Sequence, residues 1–370
     1  MTIAPDRRIA ALLERRRHVL AVACIAACIS ASPLSGIAVA REPARLAQAQ
    51  PNPYTTWTVT IVLPPRLMAG HPATLAVLGV DGKLAVGVMV TLGDGQTLTT
   101  DRTGRAVFTV PASGDYLLVK GSGASVAALI DPAAGASEPT KTTLPSIVST
   151  RDGFWICSAG LRGDAGADSV HINDEPALVL AASPECLVAL PSQKATPGPA
   201  KILVESPGTQ ATASTTLVAL DFDAPQPALM PEKKSRLDVR VRGSDQKLGI
   251  VVKNETPGVL RFVRGDTQEL LTSGGPQNDA SLEVQAIRAG DYSFRAALLP
   301  EPDTAIAQRY LLAAAPLASK ELQSGIKGFA GRLARHPGDS QAVRAEVGGI
   351  LTRTIAGDFR TLLNAAWEAL

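Results

Sequence analysis

Few residues of this chain have the types and spacing that catalysis requires. Beyond the first forty residues there are three histidines, His71, His171 and His336, and each stands in a different local context. The sequence has no Gly-x-Ser-x-Gly nucleophile elbow, no phosphate-binding loop and no His-Glu-x-x-His motif. We therefore predict that the protein is not an enzyme, and we assign no catalytic residue, cofactor site or metal site.

The number and location of the cysteines indicate disulfide chemistry. Cys24 and Cys28 lie in an N-terminal leader, which leaves Cys157 and Cys186 as an even pair. In an exported protein such a pair predicts a disulfide. It would close a loop of about 30 residues and stabilise the fold by about 3–4 kcal/mol on loop-entropy grounds. The alternative is two separately buried thiols, and a zinc site is disfavoured because no further ligand has suitable spacing.

Two tryptophans are candidates for sugar recognition, because a flat aromatic ring can pack on the face of a pyranose. Trp57 and Trp155 each stand at the start of a predicted strand. A place in a hydrophobic core is the competing interpretation of both side chains, and it is the one that we favour.

Acidic groups and two adhesion tripeptides have a simpler explanation than ligand binding. Asp81 with Asp94, and Asp164 with Asp168, could offer oxygen ligands to calcium. Aspartates in β-turns, however, normally bond to their own backbone. Arg-Gly-Asp occurs twice, ending at Asp164 and at Asp266, where Gly-Asp is ordinary turn composition. We predict turns at these positions rather than a metal site or a receptor-binding loop.

The first forty residues have the features of an export signal. Three arginines at 15–17 precede an apolar run at 19–29, and small residues at 38–40 form a peptidase site. We predict a signal peptide over 1–40 and a mature protein in the periplasm or at the cell surface. Cleavage after Ala49, a twin-arginine signal and a lipobox that would leave a lipid anchor on Cys28 stay open as alternatives. The apolar run is too short to predict a membrane span.

The charge balance excludes one class of partner. The formal net charge of +2 comes from the leader, and beyond residue 40 there remain 31 basic and 32 acidic side chains. A chain with so little net charge has no long-range field that would collect nucleic acid or anionic lipid. We therefore predict no nucleic-acid partner.

From residue 56 the sequence alternates between short apolar strands and turns rich in Gly, Pro or Asp, which is typical of β-sandwiches. A tether at 41–55 precedes a first module at 56–132. The motifs of this module are Gly82-Lys83-Leu84-Ala85, a Thr-Asp-x-x-Gly turn at 100–104, Phe108-Thr109-Val110-Pro111 and Gly114-Asp115-Tyr116. With these motifs the module resembles bacterial Ig-like domains of the invasin type and transthyretin-like carboxypeptidase regulatory domains. That resemblance implies a sandwich without catalytic function.

A linker at 133–145 leads to a second module at 146–222. It has a Gly-Phe opening strand at 153–155, a hairpin at 170–177, an apolar strand that ends in proline at 187–191 and a Gly-led strand at 198–204. In this order the segments resemble the IPT/TIG immunoglobulin-like fold. Asp174 stands where that family has a turn glycine, and Asn173 can offset this because asparagine tolerates a positive φ angle.

The C-terminal part changes its hydrophobic period. A third β domain is predicted at 223–302, where the strand at 237–241 alternates with period 2 and has one polar face. After Pro302 the period becomes helical, with helices expected at about 303–315, 319–335 and 340–369. Their apolar faces need a partner, either the third β region or another protein. The predicted fold class is mainly β: tandem Ig-like β-sandwiches with a C-terminal α-helical region at 303–370.

These patterns together predict a non-catalytic exported cell-envelope protein. It would act as a structural, adhesive or protein-binding scaffold of Ig-like modules, with a protein partner in the envelope. A glycan-binding accessory protein is the alternative function.

Overall fold

The computed structural model describes residues 59–133, 142–223, 225, 229, 233–263 and 265–370. These residues belong to one compact unit, Pro53–Leu370. The signal peptide, the tether, Trp57 and Cys28 lie outside the described residues, so the statements about them stay predictions. The described part of the chain has 21 strands followed by four α-helices, which confirms the predicted fold class.

Eight strands form the first sandwich. They are β1 (Thr60–Val62), β2 (Arg66–Met68), β3 (Pro72–Leu78), β4 (Met89–Leu92), β5 (Thr97–Thr99), β6 (Arg105–Thr109), β7 (Tyr116–Gly121) and β8 (Ala124–Asp131). One layer consists of β1, β3 and β6, and the other has the order β2-β8-β7-β4-β5. Leu67, Leu75 and Val119 are fully buried between the layers, because alternate side chains of each strand point inward.

Aspartate turns connect these strands, as the sequence predicts. The carboxylates of Asp81, Asp94 and Asp101 each accept a hydrogen bond from the backbone N–H two residues later, at 3.1, 2.9 and 2.7 Å. This is the bond that aspartate normally makes in a turn. Among the described residues, no group of three histidine, cysteine or acidic side chains is placed to hold a metal ion.

Seven strands form the second sandwich. They are β9 (Ile147–Ser149), β10 (Phe154–Cys157), β11 (Ser169–Ile172), β12 (Glu175–Ala182), β13 (Cys186–Leu190), β14 (Gly198–Ser206) and β15 (Thr209–Phe222). The layers are β10-β13-β12 and β11-β14-β15-β9. The hairpin from β11 to β12 turns at Asn173 and Asp174, whose φ angles are 49° and 68°. Two positive φ angles in succession define a type I′ turn, so both residues together replace the expected glycine.

Six more strands and the end of β15 form the third sandwich. They are β16 (Lys234–Arg242), β17 (Gly249–Asn254), β18 (Leu260–Phe262), β19 (Thr267–Leu271), β20 (Asp279–Ala286) and β21 (Phe294–Leu298). The layers are β15-β16-β20-β18 and β19-β17-β21. Residues 209–217 of β15 pair with β14, and residues 219–222 pair with β16. One strand therefore joins the two sandwiches, and the predicted domain boundaries stay predictions.

The polar face predicted for β16 is a ladder of exposed ion pairs. Arg242 Nε lies 2.6 Å from Asp221 Oδ2, and Arg240 Nη2 lies 2.7 Å from Asp223 Oδ2. Val241, between these arginines, is buried in the core of the third sandwich. Exposed pairs of this kind contribute little to stability, so this face is best described as a solvated surface.

Four α-helices follow the third sandwich. They are α1 (Thr304–Ala314), α2 (Lys320–Arg335), α3 (Ser340–Leu351) and α4 (Asp358–Glu368). The single helix predicted at 340–369 is wrong, because the chain leaves the helical conformation between α3 and α4. Thr352, Thr354 and Ile355 in that break are β-branched and Gly357 follows them, which lowers helix propensity. Ile355 in this break is 88% exposed.

The helices pack on the first sandwich rather than on the third β region. Buried side chains of all four helices form one cluster with Leu118 of β7 and Leu129 of β8. The hydroxyl of buried Tyr310 in α1 also donates to the carbonyl oxygen of Ala127 at 3.1 Å. Among the described residues, no helix is both long enough and apolar enough to cross a bilayer.

Candidate binding cleft

The two cysteines beyond the leader lie opposite each other in the second sandwich. Cys157 ends β10 and faces Cys186 at the start of β13, and the two form a disulfide, which confirms that prediction. The turn before Cys186 contacts the first sandwich. The hydroxyl of Ser183 donates to the carbonyl oxygen of Arg66 at 2.8 Å, and it accepts from the N–H of Cys186 at 3.0 Å. The disulfide therefore supports a contact between two sandwiches.

The first Arg-Gly-Asp tripeptide also lies at this contact. Gly163 is buried, has a φ angle of 74° and accepts a hydrogen bond from the hydroxyl of Thr74 on β3 at 2.8 Å. A Cβ atom at this glycine would overlap the carbonyl oxygen of Pro72. Gly163 is thus a packing element between the sandwiches, while Arg162 and Asp164 are exposed. Arg264 of the second tripeptide lies outside the described residues.

Gly163→Ala is expected to lower the free energy of unfolding by about 2–3 kcal/mol. Alanine in the left-handed region costs about 1–2 kcal/mol, and the displacement of Pro72 adds to that. Gly82→Ala is the matched control, because Gly82 has a φ angle of 72° and no atom within 4 Å of an added Cβ. Urea denaturation of both variants measures the difference. Equal losses would contradict the close approach at Gly163.

A buried ion cluster joins the first sandwich to the second sandwich and to the helices. Asp131 Oδ2 accepts from Arg66 Nε at 2.6 Å, and Oδ1 accepts from Arg309 Nη1 of α1 at 2.5 Å. Arg66 also lies 3.3 Å from Glu185 Oε2 in the second sandwich. Burial acts to raise the pKa of Asp131, but the two arginines outweigh burial and hold that pKa below its ordinary value. Burial raises the pKa of Glu185.

A cleft of about 540 Å³ opens where the second sandwich, the third sandwich and the helices meet. One wall comes from the segment 144–155 and another from residues 246–249, Leu271 and residues 297–302. Arg344 and its neighbours on α3 form the third wall. Leucines and prolines make up much of the surface. A volume of this size lies within the range of small-molecule and peptide sites.

Arg344 holds the helical wall against the third sandwich. Its Nη1 donates to Glu269 Oε2 on β19 at 3.0 Å, and its Nη2 lies 2.9 Å from Oε1 of the same carboxylate. The guanidinium also stacks on the ring of Trp367 in α4, at 4.2 Å from the ring centroid. A two-point arginine–carboxylate contact fixes orientation as well as distance, so the walls of the cleft are held in place.

Trp155 lines this cleft. Its neighbours Phe154 and Ile156 point into the core of the second sandwich, so that Trp155 points the other way along the same strand. Its side chain is half-buried, and its indole N–H makes no hydrogen bond to any described residue. The core interpretation of Trp155 is therefore wrong: pleat alternation puts the ring on the outer face of the strand.

Polar side chains also line the cleft. Asp152 lies 3.5 Å from Arg295, and Glu301 accepts a hydrogen bond from the hydroxyl of Ser146. The side chains of three further lining residues make no hydrogen bond or ion pair to any described residue: Gln246, Lys247 and Gln341. The cleft thus presents amide, carboxylate and ammonium groups whose bonding capacity is available to a ligand.

The histidines do not contribute to this cleft. His71 lies in the turn before β3, His171 lies on β11 with Nδ1 4.0 Å from Glu205 Oε2, and His336 follows α2. Within the described residues these three are not brought together with a nucleophile. The arrangement supports binding through hydrogen bonds and apolar contacts.

The sequence identified Trp155 but not the side chains around it. Gln246, Lys247, Glu301 and Gln341 come from three separate stretches of the chain, and none stands in a recognisable motif. Their proximity depends on how the third sandwich and α3 dock, which is a long-range property. No local signal in a single sequence could have grouped them.

No family model matches this chain, and no curated protein matches it. The solved structures that match part of this chain include the following three. The extracellular region of plexin A4 has 14% identity and a TM-score of 0.25, over 64% of this chain and 22% of the plexin chain. The I9–I11 tandem of titin has 10% identity and a TM-score of 0.20, over 65% and 95%. The SGBP-B protein of a Bacteroides ovatus mixed-linkage glucan utilization locus, in complex with a mixed-linkage heptasaccharide, has 12% identity and a TM-score of 0.18, over 67% and 62%. Similarity at this level does not indicate what this chain binds.

Proposed function

We propose that this chain is a non-catalytic exported cell-envelope protein that acts as a protein-binding scaffold of Ig-like modules. The observation that supports this most is the open cleft between the second sandwich, the third sandwich and the helices, here called the junction cleft. In this proposal the first module is of the bacterial Ig-like or carboxypeptidase regulatory type, and the second is of the IPT/TIG type.

Contacts between the modules support a fixed frame. The cluster around Asp131 ties the helices and the second sandwich to the first, and Arg344 ties the helices to the third. A site whose walls are already in place loses less conformational entropy when a ligand binds. This chain is therefore suited to hold a partner at a defined angle, as a scaffold does.

The disulfide supports export. Disulfides persist in oxidising compartments and are rare in the cytosol, and the Cys157–Cys186 bond is formed. In our proposal the leader is removed after Ala40 and the mature protein resides in the periplasm or at the cell surface. Cleavage after Ala49 and a lipid anchor on Cys28 remain the alternatives.

Site-specific photo-crosslinking in living cells tests the proposal. Leu271 lines the cleft and is 68% exposed, whereas Val107 on β6 is 57% exposed and does not line it. A benzoylphenylalanine at Leu271 should form a discrete adduct with an envelope protein, and the same group at Val107 should not. Adducts of equal yield at both positions, or none at Leu271, would contradict a partner in the cleft.

A further inference from the structure

We propose that the junction cleft binds a neutral oligosaccharide, with Trp155 as the stacking platform. This proposal rests on the function above in one respect, that the cleft is a binding site. It adds the chemical class of the ligand, a sugar chain carried by the partner or free in the envelope.

The ring of Trp155 supplies the apolar half of such a site. It lies on the outer face of β10 and is half-buried, so one part is held by neighbours while another faces the cleft. The C–H face of a pyranose is flat and apolar, and an indole ring is the largest flat surface that a protein can place against it. The prolines and leucines of the walls extend this apolar surface.

The polar half of the site matches sugar hydroxyls. A hydroxyl both donates and accepts, and it is satisfied by amides and carboxylates together. Gln246 and Gln341 offer both functions in one side chain, and neither bonds to a described residue. A purely apolar peptide would bury these amides without partners, which costs free energy. This difference favours a sugar over such a peptide.

The charges around the cleft favour a neutral sugar. Asp152 is paired with Arg295 and Arg344 with Glu269, so the carboxylate of Glu301 and the ammonium of Lys247 remain as one charge of each sign. A polyanionic or polycationic chain would meet as much repulsion as attraction in such a site. Single charged groups next to hydroxyls, by contrast, form strong hydrogen bonds with them.

Titration calorimetry with a panel of neutral pentasaccharides tests this inference: cellopentaose, laminaripentaose, xylopentaose and chitopentaose. At least one should bind at micromolar to millimolar concentration, and Trp155→Ala should weaken that binding by about tenfold or more. Tyr292→Ala is the matched control, because Tyr292 is an exposed aromatic residue that does not line the cleft. It should bind as the wild type does. Equal binding by the Trp155→Ala variant would overturn the proposal.

Gln341→Ala keeps the test decisive if Trp155→Ala does not fold. Gln341 lies in the first turn of α3 and makes no side-chain bond to a described residue, so its loss should weaken sugar binding about threefold or more without lowering stability. If no pentasaccharide binds while the Leu271 crosslink still forms, the sugar inference is overturned and the scaffold stands. If sugars bind and the crosslink does not form, the protein partner is overturned and the sugar site stands.

Discussion

Asp131→Ala is expected to lower the free energy of unfolding by about 3 kcal/mol, the low end of the range for breaking a buried ion pair. The carboxylate is 11% exposed and is the shared acceptor of Arg66 and Arg309. Its loss would leave Arg309 without its carboxylate partner and Arg66 with only Glu185, 3.3 Å away. Those groups are 40% and 37% exposed, so water partly replaces the lost partner and keeps the loss from being larger.

Asp221→Ala is the matched control for this experiment. Asp221 also contacts two arginines, Arg242 at 2.6 Å and Arg151 at 3.6 Å, but on the open face of the third sandwich. Its loss should cost no more than about 1 kcal/mol. Urea denaturation at neutral pH gives both values. If the two variants lose the same amount, the Asp131 cluster does not hold the modules together.

The Asp131 cluster should also shape the acid dependence of stability. The pKa of Asp131 is lowered in the folded protein. Its contribution to the free energy of unfolding is therefore present above the pKa of an unfolded aspartate, about 3.9. That contribution is lost as the pH falls through the lowered pKa of the folded protein. The pKa of Glu185 is raised, so protonation of Glu185 adds stability as the pH falls through that raised value. Asp131→Asn should abolish the first effect and reduce the second, because burial raises the pKa of Glu185 and the Asp131 carboxylate adds to that rise.

Replacing both Cys157 and Cys186 with alanine should lower the free energy of unfolding by about 3 kcal/mol. The bond joins positions 29 residues apart, and loop entropy predicts a stabilisation of this size. Alanine is chosen because Cys186 is fully buried, where the hydroxyl of a serine would need a partner.

Loss of the disulfide should also weaken the contact between the second sandwich and the first. Ser183 and Cys186 bond to each other in the turn that contacts Arg66, so a looser β10–β13 pair would loosen that contact. Hydrogen exchange should show faster exchange at residues 183–186 in the variant. Wild type unfolded in the presence of a reductant should match the variant. An unchanged free energy of unfolding in both would show that the disulfide is not stabilising.

Local chemistry explains most of what could be predicted from the sequence. Period-2 alternation and aspartate turns specify strands through contacts between near neighbours, and these appear where expected, as at Asp81 and Asp94. Asn173 and Asp174 adopt the positive φ angles of a hairpin turn because their side chains tolerate them. The disulfide is predicted from the number of cysteines together with the predicted export signal.

The rest depends on docking between distant parts of the chain. The helices had an evident apolar face, yet its partner is a pair of leucines on β7 and β8, about half the chain away. Trp155 was assigned to a core because a strand start with an aromatic residue resembles one. Which face of the strand becomes a cleft is decided by the third sandwich and by α3. Neither the ion cluster around Asp131 nor the polar lining of the cleft is marked by a local sequence pattern.

The shared core of the first sandwich and the C-terminal helices has a consequence for the order of folding. Strands β7 and β8 are made before the helices that cover Leu118 and Leu129. During that interval the first sandwich carries an uncovered apolar face, and such surfaces attract aggregation. A chaperone that covers this face until α4 has been made would therefore act mainly on this part of the chain.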